Sequence, residues 1–363
     1  MRIALVTREF NGVMGGLERQ LLTIADLLTN NGHEVIIISL DVTKGDTFFE
    51  KSDRNKNFFQ IGISNPKLRA DLKTRLKRQF AMVKILREQK IDYCFAFMIG
   101  SLYVSRLPTL IAGIPLILCE RNSPSMYRFI SRQRFRSIRF LTMLSAKAII
   151  VQFESYREKY PFYLRKKILS IPNSVPELVF RRETVNSQLK FTFAGRLSFQ
   201  KQVPRLINGF AIYCAQGGSA NLEIVGAGEQ ETLVLELIKE YNLEKRILLR
   251  EPHPDISLVL RETNLLCIFS LWEGFPNILA EALAMGIPGI GFRECDGVNE
   301  LIIDGVNGVL VDDNGSDESI AIGLLRSETL ILGGDLTSKK CRSSVAQYSG
   351  SIVRDKWETF IQR

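Results

Sequence analysis

The sequence predicts an α/β protein of two domains, each a doubly wound parallel sheet covered by helices. Apolar strand-like runs alternate with helical periodicity along most of the chain, the pattern of parallel strands buried on both faces. At 363 residues the chain is longer than one hydrophobic core usually supports. Around Ile171-Pro172-Asn173-Ser174-Val175-Pro176 the alternation stops, and a polar stretch runs to about Gln188 before it resumes.

In the first half, Ile3 to Thr7 reads as a strand, Leu17 to about Leu28 as a helix, and Glu34 to Leu40 as the next strand. Ile91 to Phe97, Pro115 to Cys119 and Ala148 to Val151 follow as strands with helix-like periodicity around them. After the break the strands are Lys190 to Ala194, Asn221 to Val225, Ile247 to Leu249, Leu265 to Phe269, Pro288 to Gly291 and Val309 to Val311. In such sheets ligands bind beyond the carboxyl ends of the strands, so the motifs at those ends carry the functional argument.

Composition narrows the class. Hydrophobic content of 45% and charged content of 24% are those of a globular protein. Cys94, Cys119, Cys214, Cys267, Cys295 and Cys341 lie far apart with no CxxC pair, which reads as buried thiols in a reducing compartment. His33 and His253 are isolated, which argues against a zinc site. Met1-Arg2-Ile3-Ala4-Leu5 enters a strand directly, with no apolar leader pattern, and Tyr93 to Cys119 is broken by Arg106, Pro108 and Pro115 and reads as core.

The net charge is +9, with the excess clustered in the first half. Lys67, Arg69, Lys73, Arg75, Lys77, Arg78, Lys84, Arg87 and Lys90 accompany Leu68, Leu72, Leu76, Phe80 and Val83 at helical spacing. A second run, Arg128, Arg132, Arg134, Arg136 and Arg139, interleaves with Phe129, Ile130, Phe135, Ile138 and Phe140. Both suit an anionic membrane surface, where each basic residue contributes about 1 kcal/mol. A solvated helix face is the plainer alternative, and no nucleic-acid signature accompanies the charge, so no nucleic-acid partner is expected.

The most informative run is Glu273-Gly274-Phe275-Pro276-Asn277-Ile278-Leu279-Ala280-Glu281. A buried strand feeds a turn carrying Glu273, and a helix starts at about Pro276, which lacks the N–H that would be orphaned there. The helix start favours a phosphate. Glu281, roughly 7.5 Å further along the axis, can reach past it to a ribose diol, and Glu273 faces whatever lies on the phosphate's other side. A nucleotide-sugar fits that arrangement.

Other strand ends add to it. Gly195-Arg196-Leu197-Ser198-Phe199-Gln200-Lys201 sets two cations after a glycine turn, where Arg196 can fork onto a phosphate and Lys201 adds a point charge. Gly226-Ala227-Gly228-Glu229 ends another strand, and Gly12, Gly15 and Gly16 precede the first helix. A solvated basic loop and plain turns are the alternatives for these pieces taken singly. Paired carboxylates also suit a glycoside hydrolase, but cations serve no purpose on a neutral glycoside.

Jointly these residues resemble glycosyltransferase family 4, retaining enzymes of the GT-B fold. The resemblance rests on Gly15-Gly16, Pro172-Asn173, Gly195-Arg196-Leu197 with Lys201, Gly226-Ala227-Gly228-Glu229, the paired glutamates, and Gly308 in Asn307-Gly308-Val309-Leu310-Val311. It implies two Rossmann-like domains facing a central cleft. Residues 1–178 would bind acceptor and 179–348 the nucleotide-sugar, with a helix at about 349–363 packing back on the first domain.

The resemblance further implies that Arg196 and Lys201 grip the donor diphosphate, that Glu281 holds the ribose hydroxyls and that Glu273 lies near the sugar ring. Gly274, Phe275, Pro276 and Asn277 would line the sugar and phosphate pocket, and Gly15, Gly16, Gly195, Gly226, Gly228 and Glu229 would also belong to the donor side. Many relatives carry a histidine in the first domain where this chain reads Cys119-Glu120-Arg121-Asn122, so Glu120 or Arg121 is expected on the acceptor or donor-phosphate side. Gly297-Val298-Asn299-Glu300 is similar to a variant in relatives that build bacterial surface polysaccharides.

The implied activity is transfer from a nucleotide-sugar, here expected to be a UDP-sugar, to a lipid-linked or polysaccharide acceptor. The nucleotide-sugar is a substrate, and no metal or other cofactor is expected. The implied place of work is the inner face of the cytoplasmic membrane, held peripherally. A sugar-nucleotide epimerase or phosphorylase of the same fold, and a non-catalytic membrane protein, are the competing readings.

Overall fold

The computed structural model describes residues 1–363 except 9, 11–15, 41–56, 64–70, 131–132, 176–187 and 363. The chain forms two compact units, one of Met1–Ser174 with Gly350–Arg363 and one of Val175–Ser349. The sequence break at Ile171–Pro176 therefore contains the first division, and the last helix returns to the first unit.

In the first unit β1 (Arg2–Thr7), β2 (Glu34–Ser39), β3 (Asn57–Gln60), β4 (Tyr93–Phe97), β5 (Leu116–Cys119), β6 (Ala148–Val151) and β7 (Ile168–Ser170) form one sheet. Its order is β3-β2-β1-β4-β5-β6-β7, and every pairing is parallel. The helices are α1 (Gly16–Asn30), α2 (Leu72–Glu88), α3 (Met98–Ala112), α4 (Met126–Ile130), α5 (Gln133–Met143), α6 (Tyr156–Lys159) and α7 (Phe162–Arg165). The sequence did not mark β3 or β7, which are short and lie at the two sheet edges.

In the second unit β8 (Lys190–Ala194), β9 (Asn221–Val225), β10 (Ile247–Arg250), β11 (Leu265–Ile268), β12 (Gly289–Phe292) and β13 (Gly308–Val311) repeat the logic. The order is β10-β9-β8-β11-β12-β13, again wholly parallel. Its helices are α8 (Val203–Ala215), α9 (Glu231–Glu240), α10 (Ile256–Leu260), α11 (Asn277–Met285), α12 (Val298–Leu301), α13 (Glu318–Leu332) and α14 (Ser338–Val345). Gly286 ends α11 in the left-handed region at φ 86°, a conformation that costs glycine little.

Both sheets reverse their direction of winding once, between β1 and β4 and between β8 and β11. These are the switch points where the loops after neighbouring strands part and leave room for a ligand. Met98, just past β4, and Gln202, just past the turn that follows β8, both hold positive φ without being glycine, at 68° and 53°. Such conformations persist only where the surroundings impose them, and they concentrate at functional sites.

The final helix, α15 (Gly350–Ile361), follows from the same physics of burial. It lays Val353, Trp357 and Ile361, each four residues from the next, into a core with Ile3, Leu5, Phe95 and Leu21. Trp357 meets Phe95 edge-on with ring centres 5.7 Å apart.

The apolar residues of α2 do not behave as a sequence reader expects. Met82 and Leu86 are the ones buried, together with Arg78, whereas Leu72, Leu76 and Phe80 are exposed. Among the described residues no helix is long and apolar enough to cross a membrane.

Because α15 closes the first unit's core, Trp357→Ala is predicted to destabilise that unit by about 3–5 kcal/mol. Hydrogen exchange at the amides of β1 and β4 will report it as faster opening, with the amides of β8 and β9 unchanged.

Candidate active site

The site in the second unit is built where three strand ends meet. After β8 the chain passes Gly195 and Arg196, buries Leu197 completely, and makes a single 3-10 turn at Phe199–Lys201. Leu197 donates its N–H to the Ala227 carbonyl at 3.0 Å and accepts from Gln230 N–H at 3.1 Å, so the loops after β8 and β9 are laced backbone to backbone. This explains two of the glycines physically. A Cβ on Gly226 would stand 1.9 Å from the Gly195 carbonyl oxygen, and one on Gly228 would stand 2.3 Å from that of Leu197.

The loop after β11 is strapped to the same turn. Leu271 N–H donates to the Gln200 carbonyl at 2.9 Å, and the Gln200 side chain donates back to the Trp272 carbonyl at 2.7 Å. The next pair is ionic: Lys201 Nζ lies 2.6 Å from Glu273 Oε1, with both side chains largely buried. Glu273 N–H in turn donates to the Asp296 carbonyl at 3.1 Å, from the loop after β12. The Lys201–Glu273 pair thus spans the switch point between β8 and β11.

The charge around this point extends to Cys295. Its thiol is pushed well above its usual range, first by burial and then by the Glu273 carboxylate, with Lys201 acting the other way. That leaves it a neutral packing group.

Phe275 is buried and meets Tyr348 edge-on at 5.4 Å, while Gly274 and Pro276 are buried beside it. Helix α11 starts at Asn277, one residue after the expected Pro276, and the Pro276 carbonyl accepts the N–H groups of Leu279 and Ala280. Glu281 is buried, and it shares a helix face with Asn277 and Ile278, one turn nearer the start, which are only half-buried. Glu281 therefore stands one turn into α11, on the face that the first residues of the helix share.

Arg196 is exposed beside this turn and makes no ion pair among the described residues. Glu229 is exposed after the β9 glycines. Gly16 opens α1 in the first unit, and Gly12 and Gly15 lie outside the described residues. Sequence reasoning passed over Gln200, Trp272 and Asp296; they act through backbone carbonyls and one amide side chain, which leave no pattern in a sequence.

At the end of β5 in the first unit, Glu120 is fully buried. Its Oε1 accepts from the N–H groups of Arg121 and Asn122 at 3.0 and 3.3 Å, and its Oε2 accepts from the Tyr127 hydroxyl at 3.1 Å. Arg121 donates to Asn173 Oδ1 at 3.1 Å and lies over the rings of Phe97 and Trp357 at 5.5 and 6.0 Å. Glu120 is the organiser of the strand-end turn and Arg121 is its cation. Asn173 and Trp357 reach Arg121 across long stretches of chain, which is why local reading could not pair them. Among the described residues no three of His, Cys, Asp and Glu cluster as metal ligands would.

Two family descriptions match this geometry from the sequence side. "Glycosyltransferase Family 4" matches residues 14–177 and "Glycosyl transferases group 1" matches residues 174–329, so that together they run from residue 14 into α13. The chain belongs to glycosyltransferase family 4. It is a nucleotide-sugar-dependent glycosyltransferase, and its two parallel-sheet units are the Rossmann-like domains of the GT-B fold.

This family 4 glycosyltransferase is 25% identical over 369 residues to a Campylobacter jejuni alpha-1,4-N-acetyl-D-galactosaminyltransferase named for an undecaprenol diphosphate-linked acceptor, covering 98% of this chain and 97% of that one. It is 25% identical over 368 residues to an Escherichia coli UDP-Gal:alpha-D-GlcNAc-diphosphoundecaprenol alpha-1,3-galactosyltransferase, covering 94% and 92%. Among solved structures, HepE of Anabaena in complex with UDP-glucose shares the fold with a TM-score of 0.81 at 19% identity, covering both chains fully.

Removing one partner of a buried ion pair leaves the other charge stranded. Lys201→Met is therefore predicted to cost about 2–3 kcal/mol, below the fully buried range because some solvent reaches the pair, and Lys201→Met with Glu273→Gln should recover most of it. Thermal denaturation of the single and double variants checks this.

The Glu120 carboxyl is pushed above its ordinary 4.5 by burial, against the hydrogen bonds from Asn122, Tyr127 and Arg121 and the charge of Arg121. The folded state thus holds this proton more tightly than the unfolded chain, and its contribution to stability falls as pH rises through 4.5 toward the folded value. Glu120→Gln should gain stability relative to the parent as pH rises through that window. Paired melting curves at several pH values measure the difference.

Proposed function

We propose that this glycosyltransferase moves a sugar from a UDP-sugar, with retention at the anomeric carbon, onto a lipid-linked glycan in the building of a cell-surface polysaccharide. The observation that carries the proposal is the Lys201–Glu273 ion pair at the switch point of the second sheet, next to the start of α11. A cation held by a carboxylate, beside exposed Arg196 and a helix terminus, suits a diphosphate that gains charge as it leaves.

In this reading Arg196 and Lys201 take the diphosphate, the start of α11 adds its dipole, and Glu281 binds the ribose hydroxyls. Glu273 fixes Lys201 and faces the sugar. The anomeric carbon–oxygen bond to phosphate breaks while the acceptor hydroxyl attacks the same face, and its proton passes to the departing phosphate oxygen. No protein nucleophile and no metal takes part. The names of the C. jejuni and E. coli relatives support an acceptor carried on a polyprenyl diphosphate, and hence work at the cytoplasmic face of a membrane. The E. coli name and the UDP-glucose complex support uridine as the donor's nucleoside.

Arg196→Ala and Glu281→Ala are each predicted to lower transfer by about 100-fold or more, the scale of losing one preorganised charge partner. Circular dichroism should stay unchanged. Transfer assays with UDP-sugars, and the anomeric configuration of the product by NMR, read the result. Full activity in both variants refutes the site, and an inverted product refutes retention.

A further inference from the structure

We infer that the helix layer α2–α3–α5 of the first unit is a membrane-docking face, seating its exposed apolar side chains among the headgroups of an anionic lipid surface. This rests on the proposed lipid-linked acceptor for the reason a membrane is nearby, but the face itself is argued from the fold. Strands β4, β5 and β6 follow one another in a single direction across the sheet, and right-handed crossovers put the helices leading into them on one side. Helix α3 packs between α2 and α5 in that layer, so the outer faces of all three look away from the sheet together.

Those outer faces set exposed apolar side chains among basic ones. On α2, Leu72, Leu76 and Phe80 repeat at four-residue spacing, and Phe80 is 73% exposed. On α3, Tyr103, Leu107, Leu110 and Ile111 form one stripe, with Leu110 77% exposed. On α5, Ile138 and Leu141 stand one turn apart and are exposed. Large apolar side chains exposed in this number on one helix layer mark an interaction site.

Charge selects the occupant. Around Phe80 on the helix surface stand Lys73, Lys77, Lys84 and Arg87, at spacings of three, four and seven residues. Arg106 lies within the α3 stripe. The three helices together contain one acidic residue, Glu88, and it lies 3.8 Å from Lys84. A two-fold dimer would set this cationic face against itself. An anionic leaflet takes both components: the apolar tips enter its interface and the lysines meet its headgroups.

The test is flotation of the full chain with vesicles of phosphatidylglycerol or of phosphatidylcholine at low salt, for the parent and for Phe80→Ser with Leu110→Ser. Both positions are exposed, so the fold is kept. The parent should bind phosphatidylglycerol, and the double variant should bind it about tenfold or more weakly. In parallel, the thermal shift given by UDP should be the same for both proteins. Absence of parent binding, or equal binding by the variant, overturns the face, as does a parent dimer that the variant breaks in place of vesicle binding. The UDP shift is read separately, so a failed nucleotide reading is not confused with a failed docking face.

Discussion

The contact between Lys201 and Glu273 is the constraint on which the second unit's site depends. It closes the gap between the loops after β8 and β11 at the one place where that sheet's winding reverses, and Gln200 fastens the same two loops through backbone carbonyls. Everything chemically interesting nearby is placed by it: Arg196 lies five residues before the lysine, and α11 starts four residues after the glutamate. The left-handed Gln202 follows at once, a local strain that this fastening holds in place.

Much of this was legible in the sequence because it depends on period and spacing. Parallel strands buried on both faces leave continuous apolar runs, and helices between them leave a 3.6-residue beat, so two doubly wound units could be read with most strand ends within a residue or two. The turn carrying Glu273 and the helix behind it were equally visible, since Pro276 and the glycines punctuate them. What could not be read was any contact made by backbone alone. The lacing of Leu197 to Ala227 and the Glu273–Asp296 link are properties of the folded loops, and the edge strands β3 and β7 each carry only two apolar residues, too short a run to stand out.

In the first unit the same limit appears in another form. Glu120 and Arg121 are neighbours in sequence but have divided roles: one carboxylate folds the strand-end turn, and the guanidinium packs against Phe97, Trp357 and Asn173. The partners of Arg121 come from distant segments, including the helix that returns from the end of the chain. The basic segment before β4 was visible as a charge cluster. Which of its apolar residues are turned outward depends on how α2 sits on the sheet, and only the structure gives that orientation.

The proposed function requires a nucleoside diphosphate to be held in the second unit by the cations after β8 and the start of α11. A crystal structure with UDP bound tests it most directly. Phosphate oxygens are expected within hydrogen-bonding distance of Lys201 Nζ and Arg196 and over the first turn of α11, with the ribose hydroxyls on Glu281. A diphosphate bound elsewhere, with Lys201 still engaged only by Glu273, would contradict it.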